Sequence, residues 1–197
     1  MHSATRHAEP HRPFVEAERV IAAGDTLLKA TLNVPVGAQG VVALLHASSA
    51  GRFGVESRFA SEVLAQAGFA TLQVDLLTPA EEADFSSSRH SEQCVSLLLS
   101  RVLVVVDWLA NQRDTMGLAI GLFTSRIEAI PALMAAERDR RVAAVVSRGG
   151  CPDFAPDAVA ELHVPTLMII GRDEQARAAE LASEFFARRL TSRSDIV

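Results

Sequence analysis

Between residues 15 and 35, apolar and polar positions alternate in "VEAERVIAAGDTLLKATLNVP", giving two strand-length runs that meet at "AGDT". Such alternation predicts an N-terminal β-hairpin with the Gly-Asp pair in its turn. Beyond residue 35 the pattern changes. Bounded aliphatic runs at 40–47 ("GVVALLHA"), 70–77 ("ATLQVDLL"), 118–125 ("LAIGLFTS"), 142–150 ("VAAVVSRGG") and 165–171 ("PTLMIIG") have the length of strands. Stretches at about 55–67, 91–112, 127–139, 153–162 and 175–190 separate or follow them, with the spacing of helices.

Strands that alternate with helices imply parallel βαβ units with right-handed crossovers, and hence a sheet covered on both faces. The expected fold is therefore α/β, a three-layer α/β/α sandwich with a mostly parallel sheet and the hairpin at its start. Residues 14–197 are read as one domain behind a mobile tail, 1–13, with neither an internal repeat nor a splitting linker. The most apolar run, "VSLLLSRVLVVVDWLA" at 95–110, is broken by Arg101 and Asp107. It reads as a helix covered on more than one side and too short to cross a bilayer. The polar piece at 78–91, "TPAEEADFSSSRHS", is either a lid or an ordinary surface loop.

In open parallel sheets, ligands bind beyond the carboxyl ends of the strands. At that edge the chain places His46, Ala47, Ser48 and Ser49, then Asp75, Ser125 with Arg126, Arg148 through Cys151, and Arg172 through Glu174. His163 precedes a strand and belongs to the opposite edge, in a structural role.

Composition narrows the chemistry. With 49% hydrophobic and 22% charged residues and a net charge of −5, the chain has an ordinary globular make-up and no basic surface for nucleic acid. The only cysteines, Cys94 and Cys151, lack metal-ligand spacing. They read as reduced thiols, and the polar start "MHSATRHAEPHRPF" is not a signal peptide, so a cytoplasmic setting is expected. His2, His7 and His11 fall on the tail. Neither GxGxxG, GxxxxGK[ST] nor HExxH occurs, so no nucleotide cofactor and no metal are expected.

The strings "TLNVPVGAQGVVALLHASS", "RFASEVLAQAGFATLQVDLLTPAEE", "LAIGLFTS", "VAAVVSRGGCPDFA" and "VPTLMIIGRDE" together resemble the dienelactone-hydrolase-like branch of the α/β-hydrolases. The resemblance implies hydrolysis of carboxylic esters or lactones through an acyl-enzyme on Ser or Cys, without cofactor. It implies that "HASS", at 46–49, forms the oxyanion loop, with Ala47 where glycine is usual, and that Asp173 is the acid of the triad. Set against the family, the sequence shows no histidine beyond His163, and the last strand and helix are expected to be missing or to lie outside it.

The family's nucleophile elbow reads small-x-Ser/Cys-x-small, because larger flanks clash in its strained turn. Here that register puts Arg126 at the nucleophile and Thr124 and Glu128 at the small positions. Arginine cannot perform acyl transfer. Shifting the register offers Ser125, flanked by Phe123 and Ile127, with His46 or His90 as the base; Ser49 within "ASSAG" is a weaker offer because no helix follows it directly. A further reading makes Cys151 the nucleophile after "SRGG".

Arg52, Arg126, Arg148 and Arg172 all follow strands. With Ser48 they either clamp a carboxylate or phosphate or form ion pairs with Asp75, Glu128, Asp153 and Asp173. Two functions stay open: an ester hydrolase with weak activity or none, and a non-catalytic member that binds a small anionic ligand or a partner chain. A sheet edge left open by the missing strand favours a homodimer.

Overall fold

The structure, a computed structural model, describes residues 15–86, 91–149, 162–170 and 175–191. The expected tail at 1–13 and nearly all of the expected helix at 153–162 lie outside these residues.

Strands β1 (Val15–Ala23) and β2 (Thr26–Val34) form the hairpin, with Ala23 opposite Thr26 across the Gly24-Asp25 turn. The chain continues through β3 (Val41–His46), α1 (Val55–Gln66), β4 (Ala70–Asp75), α2 (Pro79–Asp84), α3 (Glu92–Asn111), β5 (Ile120–Ser125), α4 (Ala129–Arg138), β6 (Val142–Arg148), β7 (Thr166–Ile169) and α5 (Gln175–Leu190). Short 3-10 turns precede α1 (Gly51–Phe53) and α4 (Arg126–Glu128). The strand order is β1-β2-β4-β3-β5-β6-β7. The hairpin joins antiparallel to β4, and β4 through β7 pair parallel, as the expected mostly parallel sheet requires.

Because strand side chains alternate between faces, each buried strand supplies both cores. In β3, Val41, Ala43 and Leu45 join the layer of α3 and α4, while Val42 and Leu44 join that of α1 and α5. The second layer sits close to the sheet. A Cβ on Gly121 would lie 2.6 Å from the Phe186 ring, so only glycine lets α5 settle on β5 there.

Helix α3 is longer than the run from which it was read. Its 20 residues and mean hydropathy of 1.7 make it long and apolar enough, by length and composition, to cross a membrane, which corrects the expectation drawn from 95–110. In this fold it buries Leu98, Val102, Val105, Val106 and Leu109 against the sheet. Leu97, Leu103, Val104 and Trp108 pack half-covered around them.

The 78–91 stretch is no plain loop over its first half. Thr78 caps α2, accepting the Glu81 amide while the Glu81 carboxylate accepts the Thr78 amide, and Pro79 occupies the first turn. Two carboxylates then fasten α2 at both sides. Glu81 takes both ends of the buried Arg101 guanidinium from α3, and Glu82 accepts the Ser49 amide at 2.9 Å and its hydroxyl at 2.7 Å.

Candidate functional site

Parallel pairing brings the carboxyl ends of β3, β4, β5 and β6 together at one edge, which gathers His46, Asp75, Ser125 and Arg148. Between them and the first turn of α1 lies a cleft of about 200 Å³, lined by His46, Gly54, Ser57, Phe123, Ser125 and Arg148 among others. The loop after β3 must turn tightly to open it. A Cβ on Gly51 would lie 2.6 Å from that of His46 and 2.5 Å from the Ser48 hydroxyl, so glycine is needed at the bend.

His46 is largely buried. Desolvation of its cation lowers its pKa to about 4, so the ring is neutral at pH 7. Its Nε2 lies 2.8 Å from the Ser57 hydroxyl, on the first turn of α1. Gln73, a polar residue buried within β4, donates from Nε2 to Ser57 Oγ at 2.8 Å and to the Arg52 carbonyl at 3.2 Å. No histidine among the described residues hydrogen-bonds Ser125, which lines the cleft half-buried at the end of β5.

In the loop after β3, where the resemblance led us to expect the oxyanion hole, the Ala47 amide donates to Glu128 Oε1 at 2.6 Å. Glu128 is only 7% exposed and sits at the start of α4, where the elbow motif calls for a small residue. Ser49, the weaker nucleophile candidate, spends its hydroxyl proton on Glu82. Ser48 stays half-buried beside Gly51.

The arginines divide. Arg52 is 6% exposed and faces inward: its Nε meets Asp75 Oδ2 at 3.0 Å, its amide meets Oδ1 at 3.0 Å, and its Nη1 reaches Glu18 at 3.1 Å. It thus takes the ion-pair course with Asp75 that the sequence left open. Burial pushes the Asp75 carboxyl above its usual range, against the hydrogen bonds and charge of Arg52. Arg148 does line the cleft, where it pairs with Glu56 of α1. The Arg126 side chain, and Arg172, Asp173, Cys151 and His90, lie outside the described residues. His163 stands at the opposite edge, 93% exposed, and pairs with Glu137.

Sequence reasoning did not single out Ser57, Gln73 or Glu82. Ser57 had a signal: with Ala60, Ser61 and Leu64 it forms the inward stripe of α1, where apolar residues are the rule.

No protein-family model matches the chain. A dienelactone hydrolase from Anabaena variabilis superposes with a TM-score of 0.79 and 33% identity, over 91% of this chain and 100% of that one. A dienelactone-hydrolase-like promiscuous phosphotriesterase from metagenomic libraries shares the fold at a TM-score of 0.62 and 17% identity, over 89% of this chain and 77% of that one. Putative phosphoribosyl transferases of two Mycobacterium tuberculosis strains are 41% identical over 180 residues, 84% of this chain, which spans 40% of their length. Similarity to the Anabaena enzyme over nearly the whole chain, together with the mostly parallel sheet that the resemblance implied, shows that this chain belongs to the dienelactone hydrolase family of α/β-hydrolases.

Proposed function

We propose that this chain receives a small carboxylic ester or carboxylate in the sheet-edge cleft, and that its elbow no longer performs acyl transfer. The observation that carries this reading is the Glu128 carboxylate on the Ala47 amide. An oxyanion hole works by offering preorganised N–H groups to charge that develops in the transition state. Here the carboxyl of Glu128 already holds the amide, at 2.6 Å. A substrate oxyanion would have to displace it and then sit beside it. With arginine at the nucleophile position and no imidazole among the described residues on Ser125, the elbow is left without an attacking group paired to a base.

The class of ligand rests on family membership and on the cleft. Neutral imidazole, serine hydroxyls and the Phe123 ring suit an ester, and Arg148 can exchange Glu56 for a ligand carboxylate. Phosphoribosyl transfer, named for the curated relatives, is not carried over to a chain that spans 40% of their length.

Butyrate and methyl butyrate, titrated into labelled protein, test binding through the backbone resonances of Gly51 and Gly54, which line the cleft. Saturable shifts at both are expected, with butyrate weakened by Arg148→Met. Absence of shifts would overturn the reading, as would p-nitrophenyl acetate turnover that disappears in a folded Ser125→Ala variant.

A further inference from the structure

The hydrogen bonds around Ser57 orient the amide of Gln73. The Arg52 carbonyl can only accept, so the Gln73 atom 3.2 Å from it is the amide nitrogen. That same nitrogen lies 2.8 Å from Ser57 Oγ, so Ser57 accepts from Gln73. Ser57 Oγ keeps a second lone pair as well as its proton, so His46 Nε2, at 2.8 Å, is placed either to donate to it or to accept from it. In the tautomer with the proton on Nδ1, the imidazole lone pair faces the serine hydroxyl. Hydroxyl donating to imidazole is the arrangement of an activated nucleophile and its base.

From this we propose that Ser57 and His46 form a nucleophile–base pair for short-chain carboxylic esters, on the wall of the cleft opposite the elbow. The proposal rests on the cleft receiving such esters, as argued above. In the reaction, Ser57 Oγ bonds to the acyl carbon while its proton passes to His46 Nε2. The tetrahedral intermediate collapses, the bond to the alcohol oxygen breaks, and that oxygen takes the proton from His46. Water then adds to the acyl carbon and gives its proton to Nε2; Ser57 Oγ leaves and recovers it. The products are acid and alcohol, and nothing is oxidised or reduced.

Gln73 is a positioning residue: its N–H steadies the oxygen as negative charge grows there. Gly54, the residue that caps α1, offers no side-chain acceptor to the helix's first amides, beside which the substrate carbonyl would lie. A short acyl group fits a space of about 200 Å³. Asp75 pairs with His46 in register but is held by Arg52, so no carboxylate among the described residues orients the imidazole. Loss of that acid lowers kcat about 10⁴-fold in a complete triad, so slow turnover is expected.

A short-alkyl fluorophosphonate reads the pair directly, since Ser57 Oγ would bond to phosphorus as fluoride leaves. Peptide mass spectrometry of the modified full chain should place the adduct on Ser57. Ser57→Ala should lose it, Ser125→Ala should keep it, and His46→Gln should slow it by about 10²-fold or more. A Ser57→Cys variant guards against a folding failure: its thiol should be alkylated by iodoacetamide faster than Cys94, which is buried in the core. No adduct, or one on Ser125, overturns the proposal; if butyrate still shifts Gly51 and Gly54, the binding reading survives alone. Failure of both measurements removes both.

Discussion

Replacing Arg101 with methionine keeps most of the buried stem and removes the guanidinium that fastens α2. The residue is 3% exposed, and its side chain donates to the Leu76 carbonyl and to both oxygens of Glu81. Breaking a fully buried ion pair costs about 3–5 kcal/mol, mostly because a charge is stranded. Glu81 is 25% exposed and keeps its contacts to Thr78, so part of that loss is recovered by water. A net loss of about 2–3 kcal/mol at pH 7 follows, or about 4–12 °C in Tm at the usual 2–4 °C per kcal/mol for a chain of this size. The Arg101 hydrogen bonds hold the Glu81 pKa down from 4.5 to about 2. A depressed carboxylate stabilises the fold above its unfolded pKa, and that contribution fades as pH falls through the folded value. The gap between wild type and Arg101→Met should therefore be full at pH 7 and narrow as pH falls from 4.5 toward 2. Urea unfolding across that range measures it, with Glu81→Gln completing a double-mutant cycle. A loss below about 0.5 kcal/mol, the scale of an ordinary surface change, or additivity in the cycle, would refute the clamp.

Three smaller tests bear on the site and its support. Glu128→Ala deprives the buried Ala47 amide of its 2.6 Å acceptor. It should lower stability by about 1–3 kcal/mol and speed exchange of that amide, and unchanged exchange would contradict the contact. Gly121→Ala drives a Cβ into Phe186 and should lose about 1–3 kcal/mol in urea unfolding, most of it restored by adding Phe186→Leu. Ser147 is 0% exposed, and its hydroxyl has no partner among the described residues. Ser147→Ala should therefore unfold at the same urea concentration as wild type or higher, since removing an unpaired buried polar group relieves its desolvation.

Periodicity revealed most of the fold because most of it is set by which faces are buried. Strands of the 70–75 kind are buried on both sides, so their aliphatic runs stand out, and the hairpin's alternation stands out for the opposite reason. Helix α2 escaped that test. It has six residues, none of them buried, and its cause is local: Thr78, Pro79 and Glu81 make a capping box that apolar spacing does not register. The signal T-x-x-E was present at 78–81, but it was not followed by an apolar run.

The site was legible in position and not in direction. Topology placed His46, Ser125 and Arg148 at one edge, where they stand, because strand order fixes where each Cα emerges. It also placed Arg52 there, yet a long side chain chooses its partner, and Arg52 turns back under the loop to Asp75 and Glu18. Pairings across distant positions carry no local mark at all. Ala47 and Glu128 are 81 residues apart, and each looks unremarkable in its own segment. Their contact links the two segments: the Glu128 carboxyl at the start of α4 reaches across the strand ends to the Ala47 amide. Among the described residues, the hydroxyl within 2.8 Å of the His46 ring is that of Ser57. The edge of the sheet thus gathers the strand-end residues, while the first turn of α1 and the end of β3 supply the groups that face them across the cleft.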